Sequence, residues 1–564
     1  MSYLRPGITL FILFFAGLGI ALEKNAGDLF FEIIPEITDV TTSACFKPVL
    51  ATYTIISGTP VPLTLQDIKI LNHDHLPDNA VTVVSSASNS CVKGQQLAFD
   101  ETCNITVSLQ PCEAGNIDRE LIIYINTTQG ALTSSIATGI EKIFLQVSGG
   151  TGANNSPLLI QSQDNGVTWE NFTSIVQNIP NAVTISNSAC NLDQTCIIGG
   201  FQTSGSSPAL LITTLNSGND WAVVGKVLDG NQLVDLPAPG RFNGSSCSGD
   251  NCIAAGIDLS NDSPLLVSSI DAGASWHKRT ITGGPGQAEL LGASCNNNLC
   301  IVIGTDYTTS SSPPLLASSS DGGVTWTQIT TLADDEPFPA GAQFRQTEPS
   351  CSDKICITGG SIVDDSGGPD SKFFSVVPFL ISSVTVGTWE QVVIDFPEGD
   401  LGSFNAFSCS ESNCVAVGSN DSTGTALIFY TQDAGTNWIQ VTHLGDDEDP
   451  SSLPGGLDHV SCSNNNCIAG QEGNDHLLLS STDGGKTWYQ ITTATGEGGF
   501  PSYGGFYATG CSGTICMAAG GNISNPAYLL TSLDGGSTWD NVSSTIGDDG
   551  LPAGGVLNTV SISR

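Results

Sequence analysis

Eight tryptophans, the only ones in the chain of 564 residues, close eight short stretches of one pattern. The clearest copy is Ser481-Thr482-Asp483-Gly484-Gly485-Lys486-Thr487-Trp488, and near-copies end in Trp169, Trp221, Trp276, Trp326, Trp389, Trp438 and Trp539. Successive tryptophans are 52, 55, 50, 63, 49, 50 and 51 residues apart. A fixed period of this kind means that one supersecondary unit is built repeatedly and that neighbouring copies bury each other.

Seven cysteine pairs keep the same time: Cys190/Cys196, Cys247/Cys252, Cys295/Cys300, Cys351/Cys356, Cys409/Cys414, Cys462/Cys467 and Cys511/Cys516. Four or five intervening residues are the length of a β-hairpin loop, which brings the flanking positions face to face at a separation a disulfide can span. The six histidines do not track these pairs, so seven local disulfides are expected rather than zinc sites. Around each pair lie short β-branched runs, as in Leu457–Ser461, Ile468–Gly470 and His476–Ser480. A β-rich period near fifty residues implies one four-stranded propeller blade per repeat. Eight boxes but seven cysteine hairpins leave one blade to be assembled from both ends of the segment. Val556–Ile562 matches a first strand and Ile143–Val147 a second. The expected fold is therefore all-β: an eight-bladed β-propeller over residues 141–564, closed by its terminal strands, or seven-bladed if the Trp389 unit is not a blade.

The box resembles the Asp-box (BNR) motif S/T-x-D-x-G-x-x-W of sialidase-like and sortilin-like propellers. Its residues read as turn chemistry. Asp483 can accept hydrogen bonds from nearby backbone N–H groups, Gly485 permits a backbone angle closed to other residues, and Trp488 starts the outer strand. Asp164, Asp271, Asp321, Asp433 and Asp534 stand at the same place and are expected to be structural. Asn216 and Val384 replace the aspartate before Trp221 and Trp389; Val384 cannot cap, so the Trp389 turn is expected to be the loosest.

Residues 27–140 carry no box. Runs such as Val49–Ile56, Ala80–Val84, Ile105–Leu109 and Leu121–Ile125 predict an Ig-like β-sandwich. The stretch Cys91-Val-Lys-Gly-Gln-Gln-Leu-Ala-Phe-Asp-Glu-Thr-Cys103-Asn-Ile-Thr-Val resembles bacterial surface Ig-like modules. That resemblance implies a Cys91–Cys103 pair and leaves Cys45 with Cys112, two other connectivities remaining open. His73-Asp74-His75 lacks a third ligand at metal-site spacing and reads as an exposed loop; no metal site is expected. Residues 1–22 read as a secretory signal, with Arg5, the apolar run Ile8–Leu22 and small residues before a cleavage point. No second apolar stretch long enough to span a bilayer follows. The protein is expected to be extracytoplasmic, secreted or at a cell surface, and monomeric.

Sixteen Lys and Arg against 55 Asp and Glu give a net charge of −39, which excludes nucleic acid as a partner. In a propeller, both hairpins of a blade lie at one face; the connections between blades and between second and third strands lie at the other. The boxes and disulfides thus occupy the face away from the expected ligand surface. That surface is acidic, with Asp334-Asp335-Glu336, Asp446-Asp447-Glu448, Asp548-Asp549 and Asp395–Asp400, and these loops are the candidate ligand-binding residues. They suit a cationic partner; no cofactor is expected, and Ca²⁺ is the one ion such a rim could take, although no loop has an EF-hand spacing.

Counting back six residues from the first cysteine of each hairpin gives Thr184, Arg241, Glu289, Arg345, Ser403, Gly456 and Gly505. Arg241, Glu289 and Arg345 therefore hold equivalent places near the channel mouth. Asp-box propellers include sialidases, endoglucanases of the xyloglucanase type, sortilin-like receptors and photosystem assembly factors. A sialidase grips its substrate with three arginines. The only arginines in this segment are Arg241, Arg279, Arg345 and Arg564, and Arg279 falls on an outer strand. The expectation is a non-catalytic binding protein that takes a protein or carbohydrate ligand on its acidic loop face. The alternative is a glycoside hydrolase with Glu289, Arg241 and Arg345 in its pocket.

Overall fold

The computed structural model divides into two compact bodies, Met1–Ile143 and Phe144–Arg564. It describes residues 31–35, 49–57, 63–71, 81–84, 91–92, 94–98, 101–109, 120–127 and 130–137 of the first. Of the second it describes 146–563 except 153–154, 165, 167, 192–194, 204, 217, 345–347, 365–374, 386–387, 393, 395–400, 446–452, 454, 474–475, 497, 523–524, 547–550 and 552–553. Every strand pairing in the first body is antiparallel, within two four-stranded sheets. One sheet holds Phe31–Pro35, Val49–Ser57, Thr102–Leu109 and Val81–Val84; the other holds Gln96–Leu97, Leu63–Leu71, Glu120–Thr127 and Gly130–Ala137. Cys91 and Cys103 are disulfide-bonded. Residues 1–22, Cys45, Cys112 and the His73–His75 loop lie outside the described residues.

The second body repeats one antiparallel arrangement of four strands, each copy containing one of the tryptophans. Unit 6 is typical: Gly402–Ser410, Asn413–Asn420, Thr425–Thr431 and Ile439–Gln440 pair in that order. Units are numbered here by their tryptophans, from Trp169 in unit 1 to Trp539 in unit 8. Second and third strands are buried almost throughout, whereas first strands alternate. In unit 3, Phe242 faces the core while Arg241 and Asn243 turn away from it. The first strand of unit 1 is the last of the chain: Gly555–Ile562 pairs with Gln146–Gly152, setting Ile562 opposite Gln146 where other units set cysteine opposite cysteine. Units 8 and 1 share a sheet through Gly521 and Val556.

Each first strand packs against the first strand of the next unit, and Gly555–Ile562 packs against both Gly505–Ser512 and Val183–Cys190. Serines stitch these neighbours together. The backbone N–H groups of Cys295, Cys351, Cys409, Cys462 and Cys511 donate to Ser246, Ser294, Ser350, Ser408 and Ser461 of the preceding unit, at 2.8–3.0 Å. A first strand has no fifth strand to satisfy its outward N–H groups, and these hydroxyls replace one.

All seven repeat disulfides form as the spacing predicts: Cys190–Cys196, Cys247–Cys252, Cys295–Cys300, Cys351–Cys356, Cys409–Cys414, Cys462–Cys467 and Cys511–Cys516, with Cα atoms 4.0–4.1 Å apart. Their depth goes beyond the sequence reading, which placed the bridges only at the face away from the loops. The second cysteine of each pair (Cys196, Cys252, Cys300, Cys356, Cys414, Cys467 and Cys516) is 0% exposed. Each stands at the start of a second strand, which has a strand on either side and apolar neighbours above and below. Cys252 packs in one cluster with Ala254, Val267 and Trp276, and Cys467 in another with Val415 and Trp488. These sulfurs are core residues as much as hairpin clasps.

Eight disulfides and no free cysteine among the described residues are consistent with an oxidising, extracytoplasmic environment. No helix among the described residues is long and apolar enough to cross a membrane.

The tryptophan turns other than that of Trp389 share hydrogen bonds around the residue at the aspartate position. In unit 7 the Ser481 hydroxyl donates to Asp483 Oδ1 and accepts from the Gly485 N–H, Thr487 N–H donates to Asp483 Oδ1, and Trp488 Nε1–H donates to Gly485 O. Asp164, Asp271, Asp321, Asp433 and Asp534 accept the same backbone bond, and Asn216 accepts the Asp220 N–H in the aspartate's stead. The tryptophan bond recurs at Trp169, Trp221, Trp326 and Trp539, whereas Trp276 Nε1 and Trp438 Nε1 are buried with no partner among the described residues. Around Asp321, Asp483 and Asp534 burial pushes the carboxyl upward, but hydrogen bonds from the turn outweigh it and hold the group below its ordinary 3.8. A depressed carboxyl stabilises the fold fully above its unfolded value and loses that contribution as pH falls through the folded one. Acid titration of stability should therefore show a drop beginning near pH 3.8, and Asp483→Asn should shrink it. An unchanged drop in that variant would contradict this role.

The Trp389 turn is shorter than the others. Ser383 stands opposite Cys356 as Ser319 stands opposite Cys300, so one residue fewer separates serine from tryptophan. The strands pair again at Thr385 and Thr388 after a register shift from Ser382, and residues 386–387 lie outside the described residues.

Candidate functional site

Every first strand with a described pairing across this point, except the short one of unit 7, carries a β-bulge at the same place. The bulged residues are Ser186, Asn243, Leu291, Asn405, Tyr507 and Asn558. A bulge bends the strand and re-aims the side chains beside it. Opposite it, the second strand carries glycine: Gly150, Gly200, Gly256, Gly304, Gly418 and Gly520. A Cβ at any of these would lie 1.9–2.1 Å from a first-strand carbonyl oxygen. The glycine thus lets the bulge close down on the sheet, at the strand ends remote from disulfides and tryptophan turns.

The bulge brings Arg241 of unit 3 to Glu289 of unit 4. Arg241 donates through Nε at 3.1 Å and Nη2 at 2.5 Å to Glu289 Oε1. Asn243 Nδ2 donates to the same oxygen and to Leu290 O, both at 2.8 Å. Tyr307, just beyond the second strand of unit 4, donates its hydroxyl to Glu289 Oε2 at 2.9 Å. Glu289 is 7% exposed, against 38% for the Arg241 side chain and 41% for Tyr307. Burial, then the bond and charge of Glu289, push the Tyr307 hydroxyl up to about 12. Arg345 lies outside the described residues, so the structure places two of the three candidates together. Arg279 donates to Ser268 on an outer part of unit 3.

A second group was not evident in the sequence. His459, in the first strand of unit 7, holds Glu472 through Nε2 at 3.0 Å and approaches Glu348, just before the first strand of unit 5, through Nδ1 at 3.6 Å. Burial pulls its proton affinity down, yet the hydrogen bonds and charges of Glu348 and Glu472 prevail and raise its pKa to about 10. His459 is thus a cation at neutral pH. Asp458 accepts from Asn405 Nδ2 and from the Glu472 N–H, and burial raises its carboxyl above the ordinary value. Glu348 and Glu472 remain 60% and 48% exposed.

Of the acidic loops, Asp334–Glu336 form a tight turn closed by Leu332 N–H to Glu336 O, with Asp334 and Asp335 both in the left-handed region. Asp446–Glu448, Asp548–Asp549 and Asp395–Asp400 lie outside the described residues. No group of three or more His, Cys, Asp or Glu among the described residues is disposed to hold a metal ion.

No family model and no curated protein matches the chain. Solved structures do resemble it at low identity. The GH74 xyloglucanase from Xanthomonas campestris is 14% identical, covering 73% of this chain and 70% of that one, with a TM-score of 0.38. AztD of Citrobacter koseri is 11% identical, covering 75% and 98%, with a TM-score of 0.39. YCF48 bound to a D1 peptide is 16% identical, covering 63% and 90%, with a TM-score of 0.34. These likenesses concern a β-rich repeat fold, loosely that of propeller and sandwich superfamilies; they bear on neither ligand nor reaction.

Proposed function

We propose that residues 144–564 form an eight-bladed Asp-box propeller preceded by an Ig-like sandwich. We read the protein as a secreted, non-catalytic binding protein that takes a protein or glycan ligand on its loop face. Glu289 carries the non-catalytic reading. Its Oε1 accepts three hydrogen bonds, Oε2 accepts the Tyr307 hydroxyl, and the group is almost wholly buried. A general acid or base must reach the bond it cleaves, and a carboxylate held in this way is placed to position Arg241 and Tyr307 instead. Those two side chains, with Glu348 and Glu472, are among the exposed groups of the described residues available to a ligand.

Asp458 supports a second reading, glycoside hydrolysis. Its raised carboxyl sits beside Glu472, and two carboxyl groups in contrasting environments are what acid and base roles require. A glycan array and a pull-down, run beside a panel of fluorogenic sialosides and β-glucans, separate the two. The binding reading expects capture without turnover, with capture weakened at least tenfold by Glu348→Gln with Glu472→Gln. Hydrolysis abolished by Asp458→Asn would establish the second reading, and hydrolysis abolished by Glu289→Gln would overturn the role given to Glu289.

A further inference from the structure

One backbone position recurs where the second strands end at the loop face. The residue seven after the second cysteine donates its N–H to the carbonyl of the residue eight before the first. Thr203 bonds Ala182 in this way, Leu259 bonds Pro239, Tyr307 bonds Gln287 and Asp421 bonds Leu401, at 2.8–3.1 Å. The repeat itself thus sets the side chain at this rim. In the successive units 3 and 4 it is large and apolar, and Leu259 and Tyr307 remain 40% and 41% exposed. The turn that follows is capped in both, Ser260 N–H donating to Asp258 Oδ1 and Thr308 N–H to Asp306 Oδ1. The two units also meet there, through Ala288 N–H to Asp262 O at 2.8 Å.

Tyr307 is held at both ends, by its backbone bond and by its hydroxyl on Glu289 Oε2. An exposed ring fixed before binding loses little freedom when a ligand lies on it. Beside it the hydrogen bonds leave a defined remainder. Arg241 commits Nε and Nη2 to Glu289, so Nη1 is a free donor among the described residues. Asn243 Nδ2 donates to two acceptors, Glu289 Oε1 and Leu290 O. That fixes the amide and leaves Oδ1 as an acceptor with no partner among the described residues. The Tyr307 oxygen can still accept. Glu289 balances the Arg241 charge, so the group as a whole does not select an anion.

We propose that this patch binds a neutral pyranose of a glycan, its C–H face on the Tyr307 ring and its hydroxyls between Arg241 Nη1 and Asn243 Oδ1. A pyranose combines an apolar face with hydroxyls that both donate and accept, and the patch offers the complement of each. Leu259 would extend the apolar rim under a neighbouring sugar. The inference rests on the loop-face binding reading above and narrows its ligand to one class.

The probes are neutral gluco-, xylo-, manno- and galacto-oligosaccharides, with an oligouronate and a lysine-rich peptide as comparators. Each is titrated against the full-length protein by saturation-transfer NMR. At least one neutral oligosaccharide should bind saturably, with a dissociation constant on the order of 1 mM or tighter. Its pyranose C–H protons should receive the strongest transfer. Tyr307→Ala should weaken binding about tenfold, whereas Tyr307→Phe, which keeps the ring, should retain most of the affinity. Saturable binding by no neutral sugar, preference for the oligouronate or the peptide, or equal affinity of the Tyr307→Ala protein would each overturn the proposal. A ligand captured on the loop face but indifferent to Tyr307→Ala would overturn it and leave the binding reading standing. Capture of nothing would overturn both.

Discussion

Gly256→Ala is expected to destabilise the second body by about 3 kcal/mol, the upper end for overpacking. The added Cβ would stand 1.9 Å from Arg241 O and 2.8 Å from Phe242 Cα. Both are backbone atoms of a paired strand, so neither can swing aside as a side-chain terminus would. Relief requires the bulge at Asn243 to open, and that moves Arg241 and Asn243 away from Glu289. The variant should thus lose local order at the loop face as well as stability. Gly225 is the control: a Cβ there meets nothing within 4 Å, and Gly225→Ala should change stability by less than about 0.5 kcal/mol. Chemical denaturation of the three proteins checks this. Equal midpoints for Gly256→Ala and the parent would mean that the bulge is not held as described.

Glu289→Ala is the second large effect. It leaves the Arg241 guanidinium, the Asn243 amide and the Tyr307 hydroxyl without their shared acceptor. Removing one member of a buried ion pair typically costs 3–5 kcal/mol; with Arg241 38% exposed, water compensates in part, and about 2–3 kcal/mol is expected. Replacing Arg241 with Met in the same background should recover part of the loss, because the unpaired charge goes with it. Tyr307 offers an independent readout. Its hydroxyl is raised to about 12 by burial first and by Glu289 second, so Glu289→Ala should bring it back toward 10 in an ultraviolet titration. A Tyr307 titration that does not move would show that the two groups are not in contact.

What could be read from the sequence was whatever local chemistry dictates. A cysteine pair five or six residues apart, or a serine two before an aspartate and seven before a tryptophan, forms its contacts within one hairpin. Those contacts are found where the spacing puts them. How deep they lie was less legible: Cys252 and Cys467 are buried by the strands of neighbouring repeats, which hairpin spacing does not report. The equivalence of Arg241 and Glu289 could be read, since counting from the cysteines crosses the same bulge in each unit. The bulge itself could not, although glycine recurs four residues after the second cysteine, as at Gly256, Gly304 and Gly418. A strict alternation of faces has no place for an extra residue, so Asn243 and Asn405 were not seen as groups that reach the next unit. Tyr307 lies in a loop that periodicity does not address. His459 and Glu348 are 111 residues apart, and only the packing of successive first strands brings them together. The length of the Trp389 turn was hidden for a related reason: counting back from the tryptophan passed over a deletion that the pairing of Ser383 with Cys356 reveals.

The central claim is that the chain's last strand completes its first repeat unit, so that the first strands close on themselves and present their bulged ends to a single ligand face. Hydrogen exchange of the Gln146–Gly152 amides tests it most directly, because those residues gain a second neighbour only from Gly555–Ile562. The account predicts protection there equal to that of Asn251–Asp258, a second strand flanked on both sides within its own unit, and its collapse when residues 555–564 are deleted. Fast exchange at Gln146–Gly152 in the intact protein, as at a free sheet edge, or protection that survives the deletion, would contradict it.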